Sequence, residues 1–414
     1  MNTFTNGLYA HSGGVSCALN ATAAGVIQAV QKSHRIQKLF IPKHGLPGLF
    51  SNTLYDTASL SEEQIRRLYH TPSSAFGSAR FKLPHFKDNP AVYHQIHQAF
   101  QEHNIGYFIY NGGGDSQDTT LKLSQFFKAI HSPILCIGLP KTIDNDLPIT
   151  DYSPGYGSCA KYVATSILEA TLDMRAVFPS STKVFVLEVM GRNSGWIAAA
   201  SAMARAQDPH APHIILMPER QKSFDDIAIN IELYIKKFGF CTIVVAEGFA
   251  LQNPAVSATI NPNENCPFGH KQLGGIAQRL TTMIKSTLKI KTRYANADYL
   301  QRAAGHIASQ ADLKIAYSVG EKSVQLLEAG VSDVMVTASH RGLGTCPLSE
   351  VANIEKTLPC EYITECGMDV TQDFIDYLTP YVLGASQAPD QNGLPHYFSH
   401  EELQCLQLSE ILYE

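Results

Sequence analysis

The strongest constraint on this chain is a unit that repeats along it: an apolar run, a turn rich in glycine or charge, then a helix-forming segment. Residues 6–11 run into Ser12-Gly13-Gly14 and a helix over about 19–33. Residues 107–110 run into Asn111-Gly112-Gly113-Gly114-Asp115-Ser116 and a helix over about 117–130. The run 134–138, bounded by Pro133 and Pro140, meets Leu139-Pro140-Lys141-Thr142-Ile143-Asp144-Asn145-Asp146-Leu147. The pattern returns at 183–189, 213–217, 241–246 and 333–337, with helices expected over about 224–237 and 311–329 and a strand over 289–295. Apolar runs alternating with crossover helices predict parallel strands buried on both faces. The expected fold is therefore α/β, with two doubly wound lobes of mainly parallel sheet and an active-site cleft between them. A C-terminal extension follows. In such sheets ligands bind outside the carboxyl ends of the strands, so the turns are where function is to be sought.

Each turn admits a plain and a functional explanation. Gly13-Gly14 suits a tight strand-to-helix turn, and equally an anion cradle of backbone N–H groups at a helix start. Three glycines at 112–114 exceed what turn geometry needs, which points to close approach by an anionic ligand. Asp115 can cap the helix, hold a metal or repel a competing anion. Arg80, in Gly77-Ser78-Ala79-Arg80, reads on its own as a surface arginine. The 139–147 stretch is either an Asx-rich turn or a catalytic loop with two carboxylates, a lysine and an amide. Neither a G-x-G-x-x-G fingerprint nor a P-loop is present.

At 414 residues and 44% hydrophobic, the chain can bury the cores of two domains. A net charge of −5 with well-mixed signs gives no reason to expect nucleic acid as a partner, and no apolar run reaches membrane-spanning length. Nine cysteines without a CxxC pair suit a reducing, cytoplasmic setting.

Taken in order, these motifs resemble the phosphofructokinase family over roughly residues 5–340. The resemblance rests on Ser12-Gly13-Gly14, Gly77-Ser78-Ala79-Arg80, Gly112-Gly113, Thr142-Ile143-Asp144-Asn145-Asp146, Met190-Gly191-Arg192, Glu247, and Arg293 with Gln301-Arg302. It implies that Asp144 is the general base for the C1 hydroxyl of fructose 6-phosphate, with Asp146 its partner near the magnesium-bound phosphate. Thr142, Ile143, Met190, Gly191, Arg192, Glu247, Tyr299, Leu300, Gln301 and Arg302 would form the sugar-phosphate site. Gly13, Gly14, Arg80, Gly113 and Ser116 would receive the phosphoryl donor. Lys183 and Arg293 would reach a neighbouring subunit's site, implying a homodimer or homotetramer. Residues 1–160 with about 303–350 would form the donor lobe, 161–302 the sugar lobe and 351–414 the extension.

Two departures bear on the donor. ATP-using members have glycine where this chain has Asp115, and Pro-Gly-Thr where it has Pro140-Lys141-Thr142. Charge and bulk there oppose a nucleotide's α-phosphate, and the same pair marks pyrophosphate-using members. The resemblance thus implies reversible transfer from pyrophosphate to fructose 6-phosphate in glycolysis and gluconeogenesis. An ATP-dependent enzyme is the alternative, and a non-catalytic sugar-phosphate sensor a further one. Mg²⁺ is the implied cofactor. Gly114 stands where ATP-using members carry a metal-associated aspartate, leaving Asp115 as the candidate ligand. Tyr299 replaces a histidine, and Lys183 an arginine.

Overall fold

A computed structural model describes residues 4–252 and 274–408. The strands of its two main sheets, in chain order, are β1 (Asn6–His11), β2 (Leu39–Pro42), β3 (Leu54–Asp56), β4 (Ile105–Gly112), β5 (Leu135–Pro140), β6 (Val184–Val189), β7 (Ile214–Leu216), β8 (Cys241–Ala246), β9 (Thr292–Asn296), β10 (Val334–Ser339) and β11 (Gly342–Pro347). The chain divides into two compact units: Met1–Gly155 with Ala308–Glu355 and Gly384–Glu414, and Tyr156–Ile307 with Lys356–Leu383.

The first unit is built on a seven-stranded sheet ordered β11-β10-β5-β4-β1-β2-β3. Its five inner strands pair in parallel, whereas β3 and β11 are antiparallel edges. Sequence pattern misses these edges because both are short or exposed and lack a continuous apolar run. Strand order reverses at β1, which has β4 on one side and β2 on the other, so ligand chemistry is expected at the β1 and β4 ends. Register sharpens this expectation. His11 aligns with Asn111, Asn111 with Leu139, and Gly112 with Pro140, so three turns leave the sheet along one row. A core of Leu8, Phe108, Tyr110, Phe100, Phe127 and Cys136 fixes the strands beneath that row.

The second unit carries an all-parallel sheet ordered β7-β8-β6-β9. Val186, Ile243, Val245 and Leu216 pack against helices Phe224–Phe238 and Ile276–Leu288. The first of these helices has clear start and stop signals: a Ser223–Asp226 capping box and Gly239 at φ +86°. The Ala-rich segment after Gly195 is a short α-turn, Trp196–Ala200, continued as 3₁₀ over Ser201–Ala206.

Residues after 351 divide between the units. Met368 enters the second core and accepts from Ile215 N–H at 2.9 Å. Leu406 and Leu408 bond to Asp56 and Leu54, covering the edge of β3. The Pro- and Asn-rich stretch 250–272, which its composition predicts to be a loop, lies outside the described residues except for 250–252. No described helix is long and apolar enough to cross a membrane.

Helices Leu19–Gln31 and Gln310–Glu328 press together at Gly25 and Gly320. A Cβ on Gly320 would lie 2.2 Å from Thr22 O and 2.8 Å from Val26 N. Glycine to alanine inside a helix ordinarily stabilises by about 1 kcal/mol. Here facing backbone reverses the sign: Gly320→Ala is expected to cost about 1–3 kcal/mol and lower the thermal midpoint. A raised midpoint would show that the helices part freely.

Candidate active site

On the first unit, the turn after β1 is held open by its neighbours. Gly13 has φ +76°, a conformation suited to glycine, and its N–H donates to Ala79 O at 3.1 Å. Ser78 Oγ donates to Gly13 O at 2.8 Å, so residues 78–80 travel with this turn and bring Arg80 to it. The turn after β4 is tied to the same place. Ser116 Oγ bonds Ser12 Oγ at 2.7 Å, and a Cβ on Gly112 would strike Ser116 Oγ at 2.1 Å. Gly112 is therefore a packing requirement. Gly113 and Gly114 are different: a Cβ there would meet nothing closer than 3.9 Å, and Gly113 has φ −83°. Neither conformation nor protein packing asks for glycine at 113, which leaves room for a ligand there.

Lys141 follows β5 directly. It is buried, and its Nζ donates to Gly14 O at 2.5 Å. The ammonium lies 3.4 Å from where a Cβ of Gly13 would be. His11 lies behind it, buried, with Nδ1 2.7 Å from Ser74 Oγ. Burial, then the Lys141 charge, pushes this imidazole down to about 3, so it stays neutral. Asp115 lies in the first turn of helix Gly114–Ala129, which starts three residues earlier than the pattern suggests. Its Oδ1 is 3.8 Å from Lys82 Nζ.

The stretch 143–147 alternates in burial. Ile143, Asn145 and Leu147 are buried, whereas Asp144 and Asp146 are partly exposed. Asn145, at φ +51°, accepts from Ser153 N–H at 2.9 Å, and Asp144 N–H donates to Thr142 Oγ1 at 3.1 Å. The loop is thus pinned through its intervening residues and presents its two carboxylates. Burial raises the Asp146 pKa, opposed by a hydrogen bond from Thr142; Glu355 adds to the rise and Lys141 offsets it. Asp146 Oδ1 is buried without a hydrogen-bond partner. An orphaned carboxylate oxygen calls for a cation or a proton donor from outside the chain.

On the second unit, the turns after β6 and β8 are pressed together. Glu247 N–H donates to Val189 O at 2.8 Å and Gly248 N–H to Gly191 O at 3.1 Å. A Cβ on Gly248 would lie 1.8 Å from Arg192 O, so glycine is required. Gln301 is fully buried: its Oε1 accepts from Met190 N–H at 3.1 Å and its Nε2 donates to Asp298 O at 2.9 Å. It acts as a strut holding the segment of Tyr299, Leu300 and Arg302 to the Met190 turn. Arg302 stacks on Tyr299, 4.1 Å from the ring centre. Arg192 Nε is buried and lacks a partner. Burial raises the Glu247 pKa, and Arg192 pulls it back. Lys183 is exposed beside β6, and Arg293 is exposed on the edge strand β9, level with Phe185. On the second unit Met190, Gly191, Arg192, Glu247 and the Tyr299–Arg302 segment lie together after the carboxyl ends of β6 and β8, whereas Lys183 and Arg293 stand apart, at the amino-terminal ends of β6 and β9.

Residues 7–327 match the family described as Phosphofructokinase. The chain belongs to the phosphofructokinase family. Similar relatives include a pyrophosphate–fructose 6-phosphate 1-phosphotransferase of Halomonas elongata, 44% identical over 94% of both chains. One of the same name from Methylococcus capsulatus is 42% identical over 95% of both. A solved structure, the pyrophosphate-dependent phosphofructokinase of Nitrosospira multiformis, superposes with a TM-score of 0.87 at 41% identity, covering 95% of this chain and 96% of that one.

Several residues that build this phosphofructokinase site carry no readable motif. Gln117, fully buried, donates to Gly112 O and Leu139 O, both at 2.9 Å, and locks the ends of β4 and β5 together. Glu188, 2% exposed, accepts from Gly275 N–H and Ala277 N–H at 2.8 and 2.9 Å. It caps helix Ile276–Leu288 although it lies far away in sequence, so only the folded chain reveals the role. Glu188→Ala would leave two helix-start N–H groups without their acceptor. A loss of about 2 kcal/mol is expected, read as a lower denaturation midpoint, with Glu188→Gln recovering part of it. An unchanged midpoint for Glu188→Ala would remove the cap from the account.

Proposed function

We propose that this chain is a pyrophosphate-dependent phosphofructokinase, transferring a phosphoryl group reversibly between pyrophosphate and the C1 hydroxyl of fructose 6-phosphate. The observation that carries the donor choice is the buried Lys141 ammonium in the Gly13–Gly14 turn, with Asp115 at the neighbouring helix start. Lysine is a compact phosphate ligand, and here it occupies volume that a glycine would leave for a nucleotide. Similarity to relatives named as pyrophosphate enzymes supports the same choice.

Phosphoryl transfer asks a protein mainly for positioning and charge neutralisation. Gly13, Gly14, Gly113 and Ser116 offer the donor their turns, and Lys141 and Arg80 offset charge on its oxygens. Asp144 takes the proton of the attacking hydroxyl. Arg192 and Arg302 hold the sugar phosphate, Glu247 accepts from sugar hydroxyls, and Met190 and Gly191 shape the turn beneath. Thr142 and Ile143 seat the loop, while Tyr299, Leu300 and Gln301 frame Arg302. The first unit serves as the donor lobe and the second as the sugar lobe.

Mg²⁺ suits this donor set, because it commonly binds one or two carboxylates together with substrate phosphates and water. Asp146, with its orphaned Oδ1, would hold it, and when bound it would offset charge developing on the transferred group; Asp115, already faced by the Lys82 ammonium at 3.8 Å, is left to donor selection. Exposed Arg293 and Tyr294 on edge strand β9, followed by exposed Tyr299 and Leu300, support an oligomer in which Lys183 and Arg293 complete a neighbour's site. Nine cysteines without a CxxC pair suit a cytoplasmic setting.

Asp144→Asn is expected to lower kcat by about two to four orders of magnitude, with fructose 6-phosphate affinity retained by calorimetry. Survival of kcat would reassign the base. Asp115→Gly combined with Lys141→Gly is expected to admit ATP as donor and to weaken pyrophosphate. Continued exclusion of ATP would place the barrier elsewhere.

A further inference from the structure

Lys82 belongs to none of the motifs, yet its position is built. Along 80–83 the side chains alternate: Arg80 is exposed, Phe81 packs against the core of the first unit, Lys82 is exposed and Leu83 is fully buried. Lys122 Nζ holds Leu83 O at 3.0 Å, and the other end of the segment is tied down where Gly13 N–H donates to Ala79 O. Two anchored apolar residues thus turn Arg80 and Lys82 to the outer face of a fixed segment. From there Lys82 Nζ reaches to 3.8 Å from Asp115 Oδ1. The lysine side chain is 55% exposed and the aspartate 29%, so at this separation the pair contributes little to stability. Stability does not explain it.

We propose that Lys82 is a donor-recognition residue that keeps Asp115 neutralised in the free enzyme and takes a terminal oxygen of pyrophosphate when the donor is bound. This rests on the pyrophosphate reading of the same turns. An uncompensated Asp115 beside Gly113 and Gly114, where a Cβ would meet nothing closer than 3.9 Å, would repel every anion, the correct donor included. An ammonium carries three donors in rotatable directions, so one group can face the carboxylate and still meet a phosphate oxygen. Lys82 therefore turns Asp115 from a general barrier into a selective one. Pyrophosphate ends in a charged group that the lysine can bind. The phosphate chain of a nucleotide continues past this point and leaves Asp115 opposed to it.

The test is Lys82→Met beside wild type and Lys82→Arg, with two readouts. One is KM for pyrophosphate and, separately, for fructose 6-phosphate. The other is calorimetric binding of imidodiphosphate with Mg²⁺, which needs no turnover. Lys82→Met is expected to weaken both pyrophosphate KM and imidodiphosphate binding by about tenfold or more, leaving fructose 6-phosphate KM and the thermal midpoint nearly unchanged. Lys82→Arg should restore most of the loss. Adding Asp115→Asn to Lys82→Met should recover part of it, since the repulsion then has no source. Imidodiphosphate bound equally well by Lys82→Met and wild type would overturn the proposal. Wild type that binds imidodiphosphate but turns over only with ATP would instead overturn the functional reading beneath it.

Discussion

A lysine ammonium buried against the carbonyl of Gly14 is the interaction on which the donor side depends. Removing such a charge from water costs roughly several kcal/mol before compensation, so its surroundings must be arranged for it. The row formed by the ends of β1, β4 and β5 provides the arrangement: Lys141 emerges one residue beyond β5, beside the turn that follows β1. Lys141 N–H is itself held by Gly112 O at 3.2 Å. Asp146 interacts favourably with the ammonium, and His11 is kept neutral beneath it. A protonated histidine there would add a second positive charge to an already costly site.

The buried groups without partners extend this logic to both units. Asp146 Oδ1 on the first and Arg192 Nε on the second are desolvated yet unsatisfied. Such atoms are expensive unless a ligand completes them. One is an acceptor suited to a cation, the other a donor suited to a phosphate or hydroxyl oxygen. Each unit thus leaves a buried polar atom that a ligand could satisfy. Gly191, Gly248 and Gln301 keep the second set in place.

The parallel core was legible because β4, β5, β6 and β8 are built on mainly apolar runs, and capped helices such as Phe224–Phe238 announce both ends. The antiparallel edges were not, since β11 is largely exposed and β3 is only three residues long. In the site, Gly13, Lys141, Asp144 and Arg192 could be found as motifs because they follow their strands directly. Gln117, Glu188 and Lys82 could not. Their roles come from partners distant in sequence: Leu139, Gly275 and Asp115 respectively. The 351–414 segment was opaque for the same reason, because its residues act by covering β3 and joining the second core.

The central claim is that this site moves a phosphoryl group between pyrophosphate and a sugar C1 hydroxyl. Phosphorus NMR on the purified protein follows every species of that exchange at once. With fructose 6-phosphate, pyrophosphate and Mg²⁺, the pyrophosphate signal should fall while a C1 phosphomonoester and inorganic phosphate appear in equal amounts. Supplying fructose 1,6-bisphosphate and phosphate should regenerate pyrophosphate. A C1 phosphomonoester formed from ATP and not from pyrophosphate would contradict the account.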